Sequence, residues 1–424
     1  MKRRMTLVLI SVLLVLLIAG MSVSGAELWH YWLSGGEREA LDAFLSTARE
    51  QYPDVEFTER GISGASTEMR RQLGAAFLAN DPPNVYQSAI GYDLKSYVDA
   101  GRLAPIDDVW EAINGEEVFS EGLKSMVKFD GHAYAIPLNT HIVSHIFYNK
   151  HIFDQYELDI PTTWDEFKAV SEALRANGIE PFAAASGWET YNFYAPLVSS
   201  LGPEGYLALG NGQVSFTDPK VKEAFRIYGD AFVSAYMFGW SGYGWAEAAN
   251  EVINGNAAMY LNGDWVVAYF ESAGWVPGED FWFFPAPGTQ DVMIMQVDAL
   301  AAPAGAADPE GTAALLTVAG GVSGQSAFNA KKGSVAANLN TPPDIYNTLL
   351  KATYDRVQQV SAEGTMLPNM LFMLPPSLYQ ELGRQVSTFA MDPTEQTLEQ
   401  VTKTLENMRQ DLLEEGAFVN WNAM

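Results

Sequence analysis

Four tryptophans carry the most chemical information in this chain. Trp32, Trp188, Trp245 and Trp265 each stand beside glycine and carboxylate residues, in stretches that lack helical or strand periodicity. An indole in such a loop can pack on the C–H face of an aldose ring, while nearby Glu, Asp, Asn, Gln and Lys side chains pair with its hydroxyls. Loop tryptophans also cap hydrophobic cores, and that duller role is assigned to Trp110, Trp164 and Trp282. Taken alone, Glu37 reads as a helix N-terminal acid, and Asp298 and Lys332 as surface charges.

Signatures of catalysis are missing. The sequence has no Gly-Lys-Ser/Thr phosphate loop, no complete dinucleotide glycine fingerprint and no Gly-x-Ser-x-Gly elbow. It has no cysteine, so thiol nucleophiles and disulfides are excluded. His141 and His145 have the spacing of two helical zinc ligands, but their run is β-prone, where they would stand roughly 13 Å apart. Neither a metal nor a cofactor is expected.

The elements that must position these residues read as alternating strands and helices. Glu27 to Trp32 is a strand; Ser34-Gly35-Gly36 turns the chain into a helix through Leu41, Phe44 and Leu45; Val55 to Phe57 resumes a strand. A helix over Met69 to Ala79, a break at Asp81-Pro82-Pro83, a strand over Asn84 to Gln87 and a helix over Leu94 to Ala100 follow. His132 to Leu138 and Val143 to Tyr148 run extended and form the first hinge candidate. Thr163 is placed to cap a helix whose first turn holds Asp165 and Glu166. Helices are predicted over 219–236, 246–254, 312–319 and 394–415, with return crossings at Asp298 to Pro303 and Asn340 to Asp344. This alternation is the mark of an α/β fold.

A length of 424 residues implies two lobes rather than one core, and 48% apolar with 18% charged residues is enough to fill them. Residues 1–26 read as an export signal, with Lys2, Arg3 and Arg4 basic, Met5 to Met21 apolar and Ser24-Gly25-Ala26 a small-residue cleavage site. No later stretch is long and charge-free enough to span a bilayer, so the remainder is expected to be soluble in the periplasm. The formal charge of −27 becomes three units more negative without the signal, which repels nucleic acid and anionic lipid.

Several segments, taken in order, resemble the extracellular sugar-binding proteins of ABC importers (solute-binding protein family 1), and within them the glucose/mannose-binding type. The carrying segments are Tyr31-Trp32-Leu33-Ser34-Gly35-Gly36-Glu37, Asn80 to Val85, Pro161 to Phe167, Asn262-Gly263-Asp264-Trp265, Pro285 to Thr289 and Lys332 to Ala336. The Pro-Thr-Thr-Trp-Asp-Glu-Phe element is common to the wider family; the Trp-x-Ser-Gly-Gly-Glu and Asn-Gly-Asp-Trp elements point to the narrower group. The resemblance implies a two-lobed α/β periplasmic-binding-protein fold of the class II type, with several hinge crossings and a ligand cleft between the lobes. It places 27–137 with 299–344 in the amino-terminal lobe and 138–298 with 345–424 in the carboxy-terminal lobe. Trp32, Glu37 and Gln87 should then line the first side, Asn139 and His141 the crossing, Trp188, Trp245 and Trp265 the second side, with Asp298 and Lys332 gripping hydroxyls.

The function so implied is capture of a small carbohydrate by a monomeric periplasmic protein, which closes on it and delivers it to the transmembrane subunits of a permease, without catalysis. The alternatives are a polyol or osmolyte in the same cleft, or a secreted glycoside hydrolase using two carboxylates. Two departures from the glucose-binding pattern bear on specificity: Ala89 stands where a histidine is expected, and Asn369-Met370 replaces a late His-Gly element. Losing two polar partners points to a different hydroxyl pattern or a larger ligand.

Overall fold

The computed structural model describes residues 24–33 and 35–421. The expected export signal lies outside the described residues as far as residue 23, as does Ser34.

Alternation in the sequence becomes three sheets of four or five strands, beside a two-stranded ribbon of Lys128–Phe129 and His132–Ala133. The first has five strands: β1 (Ser24–His30), β2 (Val55–Gly61), β3 (Val85–Ser88), β4 (Ala135–Pro137) and a returning strand, Ala299–Ala301, in the order β2-β1-β3-return-β4. Strands β2 and β3 run parallel to β1, while the returning strand is antiparallel to both neighbours. Helix α1 (Gly35–Gln51) connects β1 to β2, and α2 (Ala65–Ala79) connects β2 to β3, which is the crossover that parallel pairing demands. Ser24 to Ala26 pair with Val55 to Phe57. Cleavage after Ala26, as the sequence suggested, would therefore shorten β1 to Glu27–His30.

A second, four-stranded sheet joins His145–Asn149, Glu180–Ala183, Ala257–Leu261 and Phe281–Pro285, and supports the other lobe. Between the two lies a third sheet, made of β5 (Asn139–Ile142), Met293–Gln296, Val335–Ala336 and Met366–Pro368. The chain thus visits all three sheets between Ala135 and Asn149, where the extended hinge run was expected. It returns from Met293–Gln296 to Ala299–Ala301 with Asp298 at the corner. The last passage uses Val335–Ala336, slightly before the expected Asn340 to Asp344, which instead leads into a short 3-10 turn at Pro343–Ile345.

Local signals explain the helix starts. The Thr163 hydroxyl accepts from the Glu166 amide at 3.2 Å and the Glu166 carboxylate accepts from the Thr163 amide at 3.1 Å, a reciprocal cap that begins Trp164–Ala176. The helix predicted over 219–236 is α-helical only over Pro219–Ile227 and widens into a π-helical turn over Tyr228–Val233. Trp164 packs on Phe167 and Phe232, and Trp110 on Phe119, in their predicted core roles. No helix among the described residues is long and apolar enough to cross a membrane.

Candidate functional site

The two lobes face one another across a cavity of ≈ 1090 Å³, just above the roughly 300–1,000 Å³ usual for small-molecule sites. Its amino-terminal wall begins where Gly35 and Gly36 turn the chain out of β1 into α1. Gly35 adopts a left-handed φ of 56°. A side chain on Gly36 would stand 2.4 Å from the Ala268 methyl and 2.9 Å from the Lys331 carbonyl oxygen, so only glycine permits this approach. That packing delivers Glu37, in the first turn of α1, to Lys332 at the end of the helix Val322–Lys332.

Lys332 is 2% exposed, yet its Nζ donates to Glu37 Oε1 at 2.8 Å and lies 5.7 Å from the centre of the Trp265 ring. Burial alone would lower its pKa; the charges of Glu37 and Asp298 reverse this and raise it, so the ammonium is firmly held. Behind it is a buried polar network. Asp298 accepts from Gln87 Nε2 and Asn139 Nδ2, each at 3.0 Å, and its own amide donates to Asn139 Oδ1 at 2.8 Å. Burial opposes ionisation of Asp298, but His141 and Lys332 prevail and hold its carboxyl well below the usual range.

His141, on β5, joins the crossing to both lobes. Its Nδ1 contacts Asp264, and its Nε2 lies 3.1 Å from Asn139 Nδ2 and 3.4 Å from Asp298 Oδ2. When Nε2 is bare it accepts from the Asn139 amide; when protonated it faces the Asp298 carboxylate. Burial and Lys332 disfavour the imidazolium, but Asp264 and Asp298 outweigh them and raise the His141 pKa. Complete burial likewise raises Asp264, so the pair keeps its proton beyond the ordinary histidine range.

The carboxy-terminal wall is aromatic. Trp265 meets His141 edge-on at 5.1 Å between centroids and packs on Trp188 at 5.7 Å and Tyr191 at 6.2 Å. Trp245 lines the same wall, held against Tyr269 at 5.3 Å. Farther out, Arg70 of α2 pairs with Asp93 of α3 (Tyr92–Asp99) at 2.7 Å, opposite Tyr379 on the helix Pro376–Met391, whose phenol feels both charges. The lysine and arginines that line the cavity each have a carboxylate partner, as His141 does: Lys332 with Glu37, Arg70 with Asp93, and Arg384 with Glu381.

A cleft between two α/β lobes, entered by three passages of one chain, matches what comparison with known proteins finds. The sequence profile described as "Bacterial extracellular solute-binding protein" fits residues 34–352. The chain belongs to that family. An uncharacterised ABC transporter extracellular-binding protein of Pyrococcus horikoshii is 32% identical over 400 residues, covering 92% of this chain and 89% of the relative. A "Probable sugar-binding periplasmic protein" of Brucella melitensis is 29% identical over 358 residues, covering 81% and 82%. In fold, the chain superimposes on the bacterial solute receptor AcbH, described as having an exclusive preference for β-D-galactopyranose, with a TM-score of 0.82 at 22% identity, covering 92% of this chain and all of that one.

In this solute-binding protein seven of the ten expected site residues line the cavity: Glu37, His141, Trp188, Trp245, Trp265, Asp298 and Lys332. Three do not. Trp32 is 1% exposed and packs edge-on against Phe328 at 4.9 Å, so its indole belongs to the core of the amino-terminal lobe. Gln87 and Asn139 stand one layer back, orienting Asp298; Gln87 also accepts from the Tyr31 amide at 3.0 Å. Tyr31 takes the place in the cavity that had been given to Trp32. Desolvation, then the nearby Asp298 charge, push its phenol well above the ordinary value.

Tyr31, Arg70, Asp93, Glu189, Tyr191 and Tyr379 also line the cavity and were not anticipated. At the two departures from the glucose-binding pattern, Ala89 lines the cavity with only a methyl, and Asn369 is buried, bonding to Gln296, which faces the cavity instead. His141 and His145 lie in different sheets, and both ring nitrogens of His145 are buried without a partner among the described residues.

Proposed function

We propose that this protein is the periplasmic capture component of an ABC importer for a neutral carbohydrate, a monosaccharide or short oligosaccharide, which it binds without chemical change and delivers to a membrane permease. One observation carries the reading: clustered indoles on one wall of a single cleft face carboxylate and cation groups on the other. Sugars present apolar C–H faces edged by hydroxyls, and such a pair of walls answers both. Because every cation lining the cavity already has a carboxylate partner, an anionic ligand would have to displace one, which argues for a neutral one.

The name of the Brucella relative and the galactopyranose preference of AcbH support the sugar class. The glucose/mannose type remains part of the proposal, with Ala89 and Gln296 as the positions where the hydroxyl pattern differs. Of the ten expected residues, the seven that line the cavity keep a contact role in it, Gln87 and Asn139 position Asp298, and Trp32 packs the core behind them. The protein acts as a monomer, since the ligand is enclosed by two lobes of one chain. Closure follows because only the closed arrangement brings both walls onto the sugar.

A thermal-shift screen against glucose, mannose, galactose, xylose, maltose and cellobiose, with sorbitol and glycine betaine alongside, tests this. At least one neutral sugar should stabilise the protein saturably, by about 2.7 kcal/mol at a hundredfold excess over its Kd. Stabilisation by sorbitol or betaine alone would replace carbohydrate with a polyol or osmolyte. Indifference to every solute would end the proposal.

A further inference from the structure

Glu189 opens the helix Glu189–Gly210 and lines the cavity immediately after Trp188, yet none of the contacts described so far involves it. The residue is 3% exposed, and its Oε2 is buried with no hydrogen-bond partner among the described residues. Such a carboxyl is costly to keep: burying an acceptor without a donor loses the full hydration of that group. Burial dominates and raises the pKa, outweighing the backbone amides of residues 187–189 at the helix N-terminus and the Ser387 hydroxyl, which hydrogen-bond the carboxyl and favour its ionised form. No lysine or arginine among the described residues forms an ion pair with Glu189 to offset this cost.

We propose that Glu189 is a ligand-binding residue, whose carboxylate accepts hydrogen bonds from sugar hydroxyls once the cleft is filled. Its position supports this. Trp188, the residue before it, packs at a tilt against Trp265 and edge-on against Tyr191, so a sugar ring seated on these side chains would lie beside residue 189. On the facing helix Pro376–Met391, Gly383 and Ser387, one turn apart, leave the approach lined by a bare backbone and a hydroxyl. The unpaired acceptor is then a cost carried by the free protein and relieved by the ligand. This assignment rests on the carbohydrate reading above and adds a specific acceptor to it.

The prediction is that stability and affinity move in opposite directions. Glu189→Gln removes the buried charge while keeping the shape, so the free protein should melt higher, by on the order of 1–2 °C. The gain should be larger at alkaline than at acidic pH: an acid whose folded pKa is raised imposes no cost below its unfolded value and its full cost above the folded one. The neighbours that share its field, Tyr228, Tyr236 and Ser387, do not titrate in that window. Titration calorimetry with glucose, mannose, galactose, xylose, maltose and cellobiose should show Kd weakened at least about tenfold for whichever sugar binds the wild type, with Glu189→Ala as weak or weaker.

Unchanged affinity in both variants would overturn the role of Glu189 while leaving the carbohydrate reading intact. Lower melting together with weaker binding would make it a structural residue and also overturn the proposal. A wild type that binds none of the six sugars would remove the carbohydrate reading, and this assignment with it.

Discussion

On the amino-terminal side of the cleft paired charges predominate, Glu37 with Lys332 and Arg70 with Asp93, whereas on the carboxy-terminal side rings predominate, Trp188, Tyr191, Trp245, Trp265 and Tyr379, around the Glu189 carboxyl and the Arg384–Glu381 pair. The origin of the difference is local. The innermost charges of that wall stand at helix ends, where Glu37 gains from the positive pole of α1 and Lys332 from the negative pole of its own helix. The aromatic wall is made of residues that follow glycines, at Gly187-Trp188, Gly244-Trp245 and, one residue removed, Gly263-Asp264-Trp265. Neither wall alone satisfies a polyhydroxylated ring, so under the proposed function ligand affinity is a property of the two lobes together, and occupancy would favour closure.

Breaking the charged wall should have the largest effect. Lys332→Met leaves Glu37 facing the cavity alone and removes a cation that, with His141, the buried Asp298 and Asp264 both feel. Removing one member of a buried pair typically costs about 3–5 kcal/mol. We expect a large fall in Tm in chemical and thermal unfolding, together with lost sugar binding. Glu37→Gln, whose partner Lys332 would keep the Asp298 and Asp264 charges nearby, should cost less. Equal losses for the two would mean that the network behind Lys332 contributes nothing to it.

Breaking the aromatic wall should act on affinity more than on stability. Trp265→Ala removes the ring that His141, Lys332 and Trp188 all touch, and the affinity loss expected of a central aromatic contact is about 2–4 kcal/mol, or roughly 30- to 1000-fold in Kd. Trp32→Phe sharpens the contrast, since its indole packs on Phe328 away from the cavity: it should lower Tm and leave Kd within about twofold. Calorimetry on the two variants decides it. A Trp32 variant that loses affinity as severely as the Trp265 variant would erase the distinction between core and cleft indoles.

That pair also shows what the sequence could and could not convey. Trp32 and Trp265 look alike as residues, each flanked by glycine and carboxylate, but their side chains part because Trp32 lies two residues beyond the end of β1, where the alternation of strand faces stops and direction is no longer readable. Tyr31 therefore takes the cavity position. Strands and helices of the amino-terminal lobe were legible because their periodicity is regular and their breaks carry proline and glycine. The reciprocal cap at Thr163 was legible because both partners sit three residues apart. The helix Pro376–Met391 was not foreseen, and with it Tyr379 was missed. Arg70, Asp93 and Glu189 were hidden for another reason: on a helix, an ordinary surface charge and a cleft charge have the same spacing, and only the opposing lobe distinguishes them. Gln87 and Asn139 were correctly picked as polar residues near the cleft, one layer too far forward, because hydrogen bonds to Asp298 rather than to solvent satisfy them.

The smallest effect expected is a pH dependence, and it probes where the two walls join. His141 spans them, with Asp264 on one side and Asp298 on the other, and its folded pKa lies above its unfolded value. Its contribution to stability is then complete below about pH 6.5, the ordinary histidine value, and fades as pH rises through the folded one. Glu189 lowers stability over an overlapping range, so the informative quantity is the difference in stability between wild type and His141→Gln, from which Glu189 cancels. That difference should be largest near about pH 6 and shrink, by on the order of 1 kcal/mol, toward alkaline pH. A difference that instead grew with pH would mean that His141 is neutral in the folded protein, accepting from Asn139 rather than facing Asp298 as an imidazolium. The junction between the lobes would then be a chain of neutral hydrogen bonds, and the charges of the amino-terminal wall would end at Lys332.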